Sequence, residues 1–350
     1  MRAKDAPSGQ AAGRTDGEEK SVTTICVDAM GGDERPEVVL EGIAAALAAD
    51  PELEVLVAGD EGVVGPFAES HERARALVTT EVIGMGEHPA EAVRAKRDSS
   101  IVRGCAAVRA GEADGFFSAG STGAIFTAAT LGVGRIRGIR RPALATALPG
   151  LGGHRTIALD LGANADARPE MLVQFAHMGR AYAKVVLGVE DARVGLLSNG
   201  TENAKGSELA VSYHEALAAA GCGFAGNAEG TDLLLGSFDV IVCDGFTGNV
   251  ALKSMEGTAK YLVKQIKAAA GESKRSAVGA LLLKPALKRV AAELSGDEYG
   301  GAVLLGLKAP VFIGHGATSA TAVAKGTAAC AAAVRGGLVD GIAQALADAS

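Results

Sequence analysis

Short runs of β-branched and apolar residues that stop at polar, glycine-bearing turns and then give way to helical stretches recur along this chain. Thr23 to Asp28 stops at Met30-Gly31-Gly32, and Gly115 to Ser118 stops at Ala119-Gly120-Ser121-Thr122-Gly123. Thr156 to Asp160, Arg193 to Leu197, Asp239 to Cys243 and Val311 to Ile313 end in the same manner. Further strands are expected at Glu54 to Ala58, Glu81 to Ile83 and Ala143 to Leu148. Helices are expected at Glu37 to Ala49, entered through Pro36, at Glu170 to Leu187 and at Ser207 to Ala220. Another covers Pro89 to Arg109 with a break near Ser99, a long one follows Asn249, and one runs from Ser319 onward. Strands alternating with helices imply an α/β fold whose largely parallel sheet is covered on both faces. The 350 residues suffice for a large core, and no internal repeat or clear linker divides them.

Composition narrows the function classes. A net charge of −7 argues against bulk nucleic-acid binding, which comes with basic domains. Cys26, Cys105, Cys222, Cys243 and Cys330 are scattered, which reads as reduced core thiols in a cytosolic protein. Neither they nor the histidines have metal-ligand spacing, so no metal site is expected. No apolar run reaches the roughly eighteen residues of a membrane span. Residues 1–20 are small, polar and charged, and are read as a disordered tail without the apolar core of a signal peptide.

In open α/β sheets, ligands bind beyond the carboxyl ends of strands, so the turns are best taken together. Asp28 with Gly31 and Gly32 lets backbone approach a ligand. Gly120, Ser121, Thr122 and Gly123 lead into a helix, where free N–H groups favour an anion; the same residues equally suit a simple helix cap. Asn164 and Asp166 lie in Asp160-Leu161-Gly162-Ala163-Asn164-Ala165-Asp166, which does not match a calcium loop. Thr201, Glu202 and Lys205 follow the strand Arg193 to Leu197, and Lys205 either reaches a bound phosphate or is merely solvated. Asp244, Thr247, Gly248 and Asn249 follow Asp239 to Cys243, and His315 with Gly316 follow Val311 to Ile313. No G-x-S-x-G elbow occurs and no cysteine in a polar turn faces a histidine, so covalent catalysis is not indicated.

Seven segments carry a resemblance to a known family: VDAMGGD (27–33), SAGSTGA (118–124), GRIRGIRRPALA (134–145), DLGANADARPE (160–170), RVGLLSNGTENAKGSEL (193–209), CDGFTGNVALKSMEG (243–257) and YGGAVLLGLKAPVFIGHG (299–316). Together they resemble the phosphate acyltransferase family of bacterial phospholipid synthesis, the PlsX family, from about Thr23 to the last helix. The resemblance implies a three-layer α/β/α sandwich related to phosphate acetyl- and butyryltransferases and isopropylmalate dehydrogenases, with residues 21–350 as one catalytic domain. It implies a homodimer that moves a long-chain fatty acyl group from acyl carrier protein to inorganic phosphate without a cofactor. The acyl-phosphate product would feed a downstream glycerol-3-phosphate acyltransferase. It also implies functional roles for Lys205 and Asn249. Three positions depart from the family's usual pattern: Ser121 and Ser198 stand where asparagine is usual, and Thr231 where arginine is usual.

On this reading Gly120 to Gly123 and Lys205 hold phosphate, and Asn249 donates to the oxyanion formed on attack. Asp28, Asp166, Glu202 and Asp244 orient the lysine or the phosphate. A second feature lies at 264–293, expected to form a protruding helical hairpin. Lys264 to Arg289 holds seven basic residues, among them Lys274, Arg275, Lys284, Lys288 and Arg289, against Glu272 alone. Leu281, Leu282 and Leu283 form an apolar tip among them. The pattern fits docking on the inner face of the plasma membrane, docking of acidic acyl carrier protein, or burial in a dimer interface. Rival readings are a short-chain acyl-CoA phosphotransferase on the same fold, a nicotinamide-dependent dehydrogenase, and a non-catalytic membrane scaffold. The dehydrogenase lacks its G-x-G-x-x-G fingerprint here.

Overall fold

The computed structural model describes residues 22–33, 36–294, 300–316 and 318–349. The sequence-predicted tail at 1–20 lies outside them, as do the side chains of Lys288 and Arg289. Among the described residues, eleven strands form one sheet in the order β3-β2-β1-β4-β11-β10-β5-β6-β9-β7-β8. They are β1 Thr23–Asp28, β2 Leu53–Gly59, β3 Ala74–Val78, β4 Gly115–Ser118, β5 Ala143–Pro149, β6 Arg155–Leu159, β7 Val194–Leu197, β8 Phe224–Ala228, β9 Val240–Val242, β10 Ala302–Leu305 and β11 Val311–Ile313. Every residue of β1, β4, β7 and β9 is buried, as expected where helices cover both faces.

One face carries α1 Glu37–Ala49, α6 Pro169–Leu187, α11 Ala320–Arg335 and α12 Leu338–Asp348, packed on Ile25, Val57, Leu159, Val194 and Phe312. The other carries α3 Pro89–Ala95, α4 Ser100–Ala110, α5 Thr122–Gly132 and the first turns of α9 Gly245–Gly271, packed on Cys26, Phe116, Leu144 and Ile241. The remaining helices are α2 Glu61–Ser70, α7 Glu208–Ala219, α8 Asp232–Leu235 and α10 Lys274–Leu294. In α1 the spacing of Val39, Ile43, Ala46 and Leu47 puts its buried side chains on one stripe.

Strand direction has the largest consequence for function. β3, β2, β1, β4 and β11 run parallel to one another, and so do β6, β9, β7 and β8. Between the two blocks lie three antiparallel ladders, β11 to β10, β10 to β5 and β5 to β6. Three reversals leave the second block running opposite to the first. The carboxyl ends of β1, β4 and β11 therefore lie at one edge of the sheet, and those of β6, β7 and β9 at the other.

The helix break at Ser99 is present, because residues 96–99 separate α3 from α4. The short strand expected at Glu81 to Ile83 is not: this segment makes only an isolated bridge from Glu81 to Ser99. Pairing with β2 goes instead to Ala74–Val78, a sheet-edge strand whose Arg75 and exposed residues gave it no apolar signal. All five cysteines are buried and free. Among the described residues, no helix is long and apolar enough to cross a membrane.

Candidate active site

At the edge formed by β6, β9 and β7, three adjacent strands end in polar turns. The turn after β6 is built on Asp160, which is fully buried. Its Oδ1 accepts from the N–H groups of Leu144 (3.0 Å), Gly162 (3.2 Å) and Ala163 (2.9 Å). Its Oδ2 accepts from Asn164 N and Nδ2, each at 2.7 Å. Asn164 Nδ2 also reaches Pro142 O at 2.8 Å. Asn164 therefore holds the turn together, and its Nδ2 donors are consumed in doing so.

Burial pushes the Asp160 carboxyl above its ordinary value of 3.8, against the pull of its N–H donors. A carboxyl with a raised folded-state pKa contributes most stability below about 3.8 and loses that contribution as pH rises through the raised value. Asp160→Asn cannot titrate. The stability of the wild type relative to Asp160→Asn, from urea unfolding between about pH 3.5 and 7, should decline as pH rises. A difference independent of pH would contradict this assignment.

The turn after β9 enters α9. Asp244 caps the helix, Oδ1 accepting from Thr247 N (2.8 Å) and Oδ2 from Thr247 Oγ1 (2.9 Å). Gly245 N donates to Asn164 O at 2.8 Å, which ties α9 to the Asp160 turn. Gly248 lies so close to that turn that a Cβ there would sit 2.0 Å from Asp160 O. This close approach sets Asn249 beside Gly162, whose built Cβ would lie 3.6 Å from Asn249 Cγ. Asn249 is exposed, with the exposed Phe246 and Val250 next to it on α9.

Lys205 is in the turn after β7, next to β9 in the sheet. Its ammonium lies 3.9 Å from Glu202 Oε1, and its side chain is 51% exposed. Such a pair is weakly held, so the lysine can turn to a bound anion at little cost. Thr201 shares this exposed turn. Thus Asn164, Asp166, Thr201, Glu202, Lys205, Asp244, Thr247, Gly248 and Asn249 gather at one edge.

The other predicted residues gather at the opposite edge. Ser118 Oγ donates to Asp28 Oδ2 (2.7 Å) and accepts from Gly120 N (3.0 Å). Gly31 closes on the same group, and a Cβ there would lie 2.7 Å from Gly120 N. Asp33 N donates to Gly316 O at 2.8 Å, joining the turns after β1 and β11. Ser121 stands at the N-cap position of α5 but makes no capping hydrogen bond. Thr122 and His315 are exposed, while Gly32, Ser121 and Gly120 are buried. The single constellation read from the sequence is therefore two groups, because the middle of the sheet reverses.

Two features at the first edge escaped sequence reasoning. Tyr213 of α7 is buried there, its hydroxyl donating to Ala167 O at 2.7 Å. Burial, with Asp244 and Asp166 nearby, pushes its hydroxyl up to about 12, so it stays protonated. The second is a cluster of arginines, Arg135, Arg137, Arg140 and Arg141, all exposed. Arg140 and Arg141 directly precede Pro142, and Pro142 is bonded to Asn164. Four arginines within seven residues were visible in the sequence, but nothing there placed them beside Asn164. Cys243 also borders this edge. Burial, then Asp160 and Asp244, push its thiol well above the ordinary value, so it stays neutral and is no nucleophile.

Fold and site define an α/β protein whose exposed lysine, asparagine and arginines suit an anionic substrate. The solved structures it resembles include a phosphotransacetylase from Streptococcus pyogenes, with a TM-score of 0.58 at 18% identity, covering 94% of this chain and 96% of that one. The EutD phosphotransacetylase from Staphylococcus aureus aligns with a TM-score of 0.54 at 18% identity, covering 90% of this chain and 95% of that one. The model of the fatty acid synthesis protein family matches residues 23–340, and the chain belongs to that family. Its relatives include the phosphate acyltransferase of Bacillus pumilus, 46% identical over 299 residues, 85% of this chain and 90% of that protein. The phosphate acyltransferase of Limosilactobacillus fermentum is 49% identical over 293 residues, 82% of this chain and 85% of that protein.

Proposed function

We propose that this chain is a phosphate acyltransferase that moves a long-chain fatty acyl group from acyl carrier protein to inorganic phosphate. The observation that carries the reading is the convergence of Asn249 and Lys205 on adjacent strand ends, in a chain whose relatives bear that name. A phosphate oxygen attacks the thioester carbonyl carbon, forming a C–O bond and a tetrahedral oxyanion. Asn249 Nδ2 donates to that oxyanion, and such a donor contributes roughly 3–4 kcal/mol. Lys205 and the arginines counter the phosphate charge. As the intermediate collapses the C–S bond breaks. The sulfur leaves as thiolate and takes a proton, which its ordinary pKa near 8.5 makes easy.

The protein is proposed to act as a homodimer and to deliver acyl-phosphate to a glycerol-3-phosphate acyltransferase. α9 has 27 residues, about 40 Å of helix, and so outruns any strand of the sheet. Beyond its first turns α9 leaves the core and packs on α10. Leu281, Leu282 and Leu283 of α10 are 67%, 77% and 58% exposed. Consecutive helical positions point about 100° apart, so these three exposed leucines spread over a wide arc of the α10 surface. With Lys264, Lys267, Lys274, Arg275 and Lys284 on the two helices, the surface suits shallow insertion into an anionic bilayer on the cytoplasmic side. Changing all three leucines to glutamine should abolish sedimentation with phosphatidylglycerol vesicles and leave the thermal midpoint unchanged. Undiminished sedimentation would overturn the membrane assignment.

The decisive assay combines purified protein, palmitoyl-acyl carrier protein and labelled phosphate, trapping acyl-phosphate with hydroxylamine. Product should depend on phosphate and on the carrier-bound donor. Product from acetyl-CoA alone would make this a short-chain phosphotransferase.

A further inference from the structure

The Lys205 turn is exposed over most of its length, yet it is anchored from below by a buried polar pair. Asn227, at the end of β8, is 5% exposed, and His214 of α7 is 9% exposed. Asn227 Nδ2 donates to Glu202 O at 2.9 Å. The same carbonyl accepts from the backbone N–H of Lys205 at 3.0 Å. Glu202 O is thus the point through which the buried amide holds the segment that carries the ammonium.

The orientation of the Asn227 amide follows from its partners. A backbone carbonyl only accepts, so the NH2 group must face Glu202 and Oδ1 must face inward. Asn227 Oδ1 lies 2.9 Å from His214 Nδ1, so that nitrogen must carry a proton. The His214 ring is fixed in turn by the edge of Phe224, with ring centroids 5.0 Å apart and an interplanar angle of 81°. The Glu202 carbonyl sets the amide orientation, His214 Nδ1–H braces the amide from below, and the amide holds the turn. A hydrogen-bonded chain with one donor direction serves this purpose better than apolar packing, because the other amide orientation would place donor against donor.

We propose that Asn227, braced by His214, is a positioning residue that holds Lys205 in its phosphate-binding place; this rests on the role assigned to Lys205 above. Losing the anchor leaves the turn in place only part of the time. Apparent phosphate affinity then falls in proportion, while saturating phosphate pulls the turn back. Asn227→Ala should therefore raise KM for phosphate about 10-fold and change kcat less than about 3-fold. His214→Leu should do the same. His214→Asn, whose Nδ2 can replace the ring Nδ1 donor, should restore KM to within about 2-fold of the wild type.

The test is phosphate titration of the full-length enzyme with palmitoyl-acyl carrier protein, for these variants, Lys205→Ala, and Asn227→Ala combined with Lys205→Ala. The combined variant should be no worse than Lys205→Ala, since the anchor acts only through the lysine. An unchanged KM in Asn227→Ala, or an additive loss in the combined variant, would overturn the proposal. If Asn227→Ala fails to fold, the comparison of His214→Leu with His214→Asn decides, and equal KM values for the two would overturn it. Full turnover by Lys205→Ala would instead remove the role of Lys205 on which the proposal stands.

Discussion

Lys205→Ala should lower phosphate-dependent turnover by about 10²- to 10³-fold while leaving the fold intact. The size follows from what the ammonium does. Attack brings the phosphate's negative charge next to a developing oxyanion, and removing one preorganised group that meets such charge costs roughly 3–4 kcal/mol. The intact fold follows from how the lysine is held. Its pair with Glu202 spans 3.9 Å with both side chains more than half exposed, which contributes little to stability. Hydroxylamine-trapped product and the thermal midpoint should be measured on the same preparation. Normal turnover at saturating phosphate would eliminate the lysine from the mechanism. A lowered midpoint would show that it does structural work the geometry gives no sign of.

Gly248→Ala should fail in stability and activity together. The new Cβ would meet Asp160 O at 2.0 Å and Cys243 Sγ at 2.8 Å. Neither neighbour can yield cheaply. Asp160 N donates to Cys243 O (3.1 Å) and Cys243 N to Leu159 O (2.8 Å), so moving the carbonyl disturbs the β6–β9 ladder. The helix must move instead, and Asn249 moves with it. Overpacking of this kind costs about 3 kcal/mol, and a displacement near 1 Å at a reacting group costs about 10²-fold in rate. Gly257→Ala is the matched control, in the same helix with open space around the position. There the substitution should be neutral or stabilising by about 0.5–1 kcal/mol. Urea midpoints of the two variants test the argument, and equal midpoints would refute it.

Much of the framework was legible because burial on both faces writes itself into composition. TTICVD, GFFS and DVIVC read as strands since most residues in a strand buried on both faces are apolar or β-branched. The turns were legible for a related reason: a helix starting straight after a strand needs a cap, and Asp244 and Ser319 supply one. Phe224–Ala228 and Ala302–Leu305 gave no comparable signal, being short and mixed with glycine, asparagine or flanking Gly-Gly. Ala74–Val78 carries an exposed arginine that hides its strand pattern, whereas Glu81 to Ile83 resembles a strand yet makes only the bridge to Ser99.

The sequence by itself determined the family, the α/β class and the residue types at each strand end. Those depend on local patterns: a run of side chains, a cap, a glycine where backbone must approach backbone. Only the tertiary structure decided which strand ends meet. A strand's side-chain pattern is the same whichever way it runs beside its neighbour, so the reversals at β10 and β5 left no trace in the residues. Those reversals separate Asp28 and Ser118 from Lys205 and Asn249, and they bring Pro142 and its arginines to Asn164. The Asn227–His214 anchor belongs to the same category, because its three partners come from β8, α7 and the turn after β7 and meet only when the sheet is assembled.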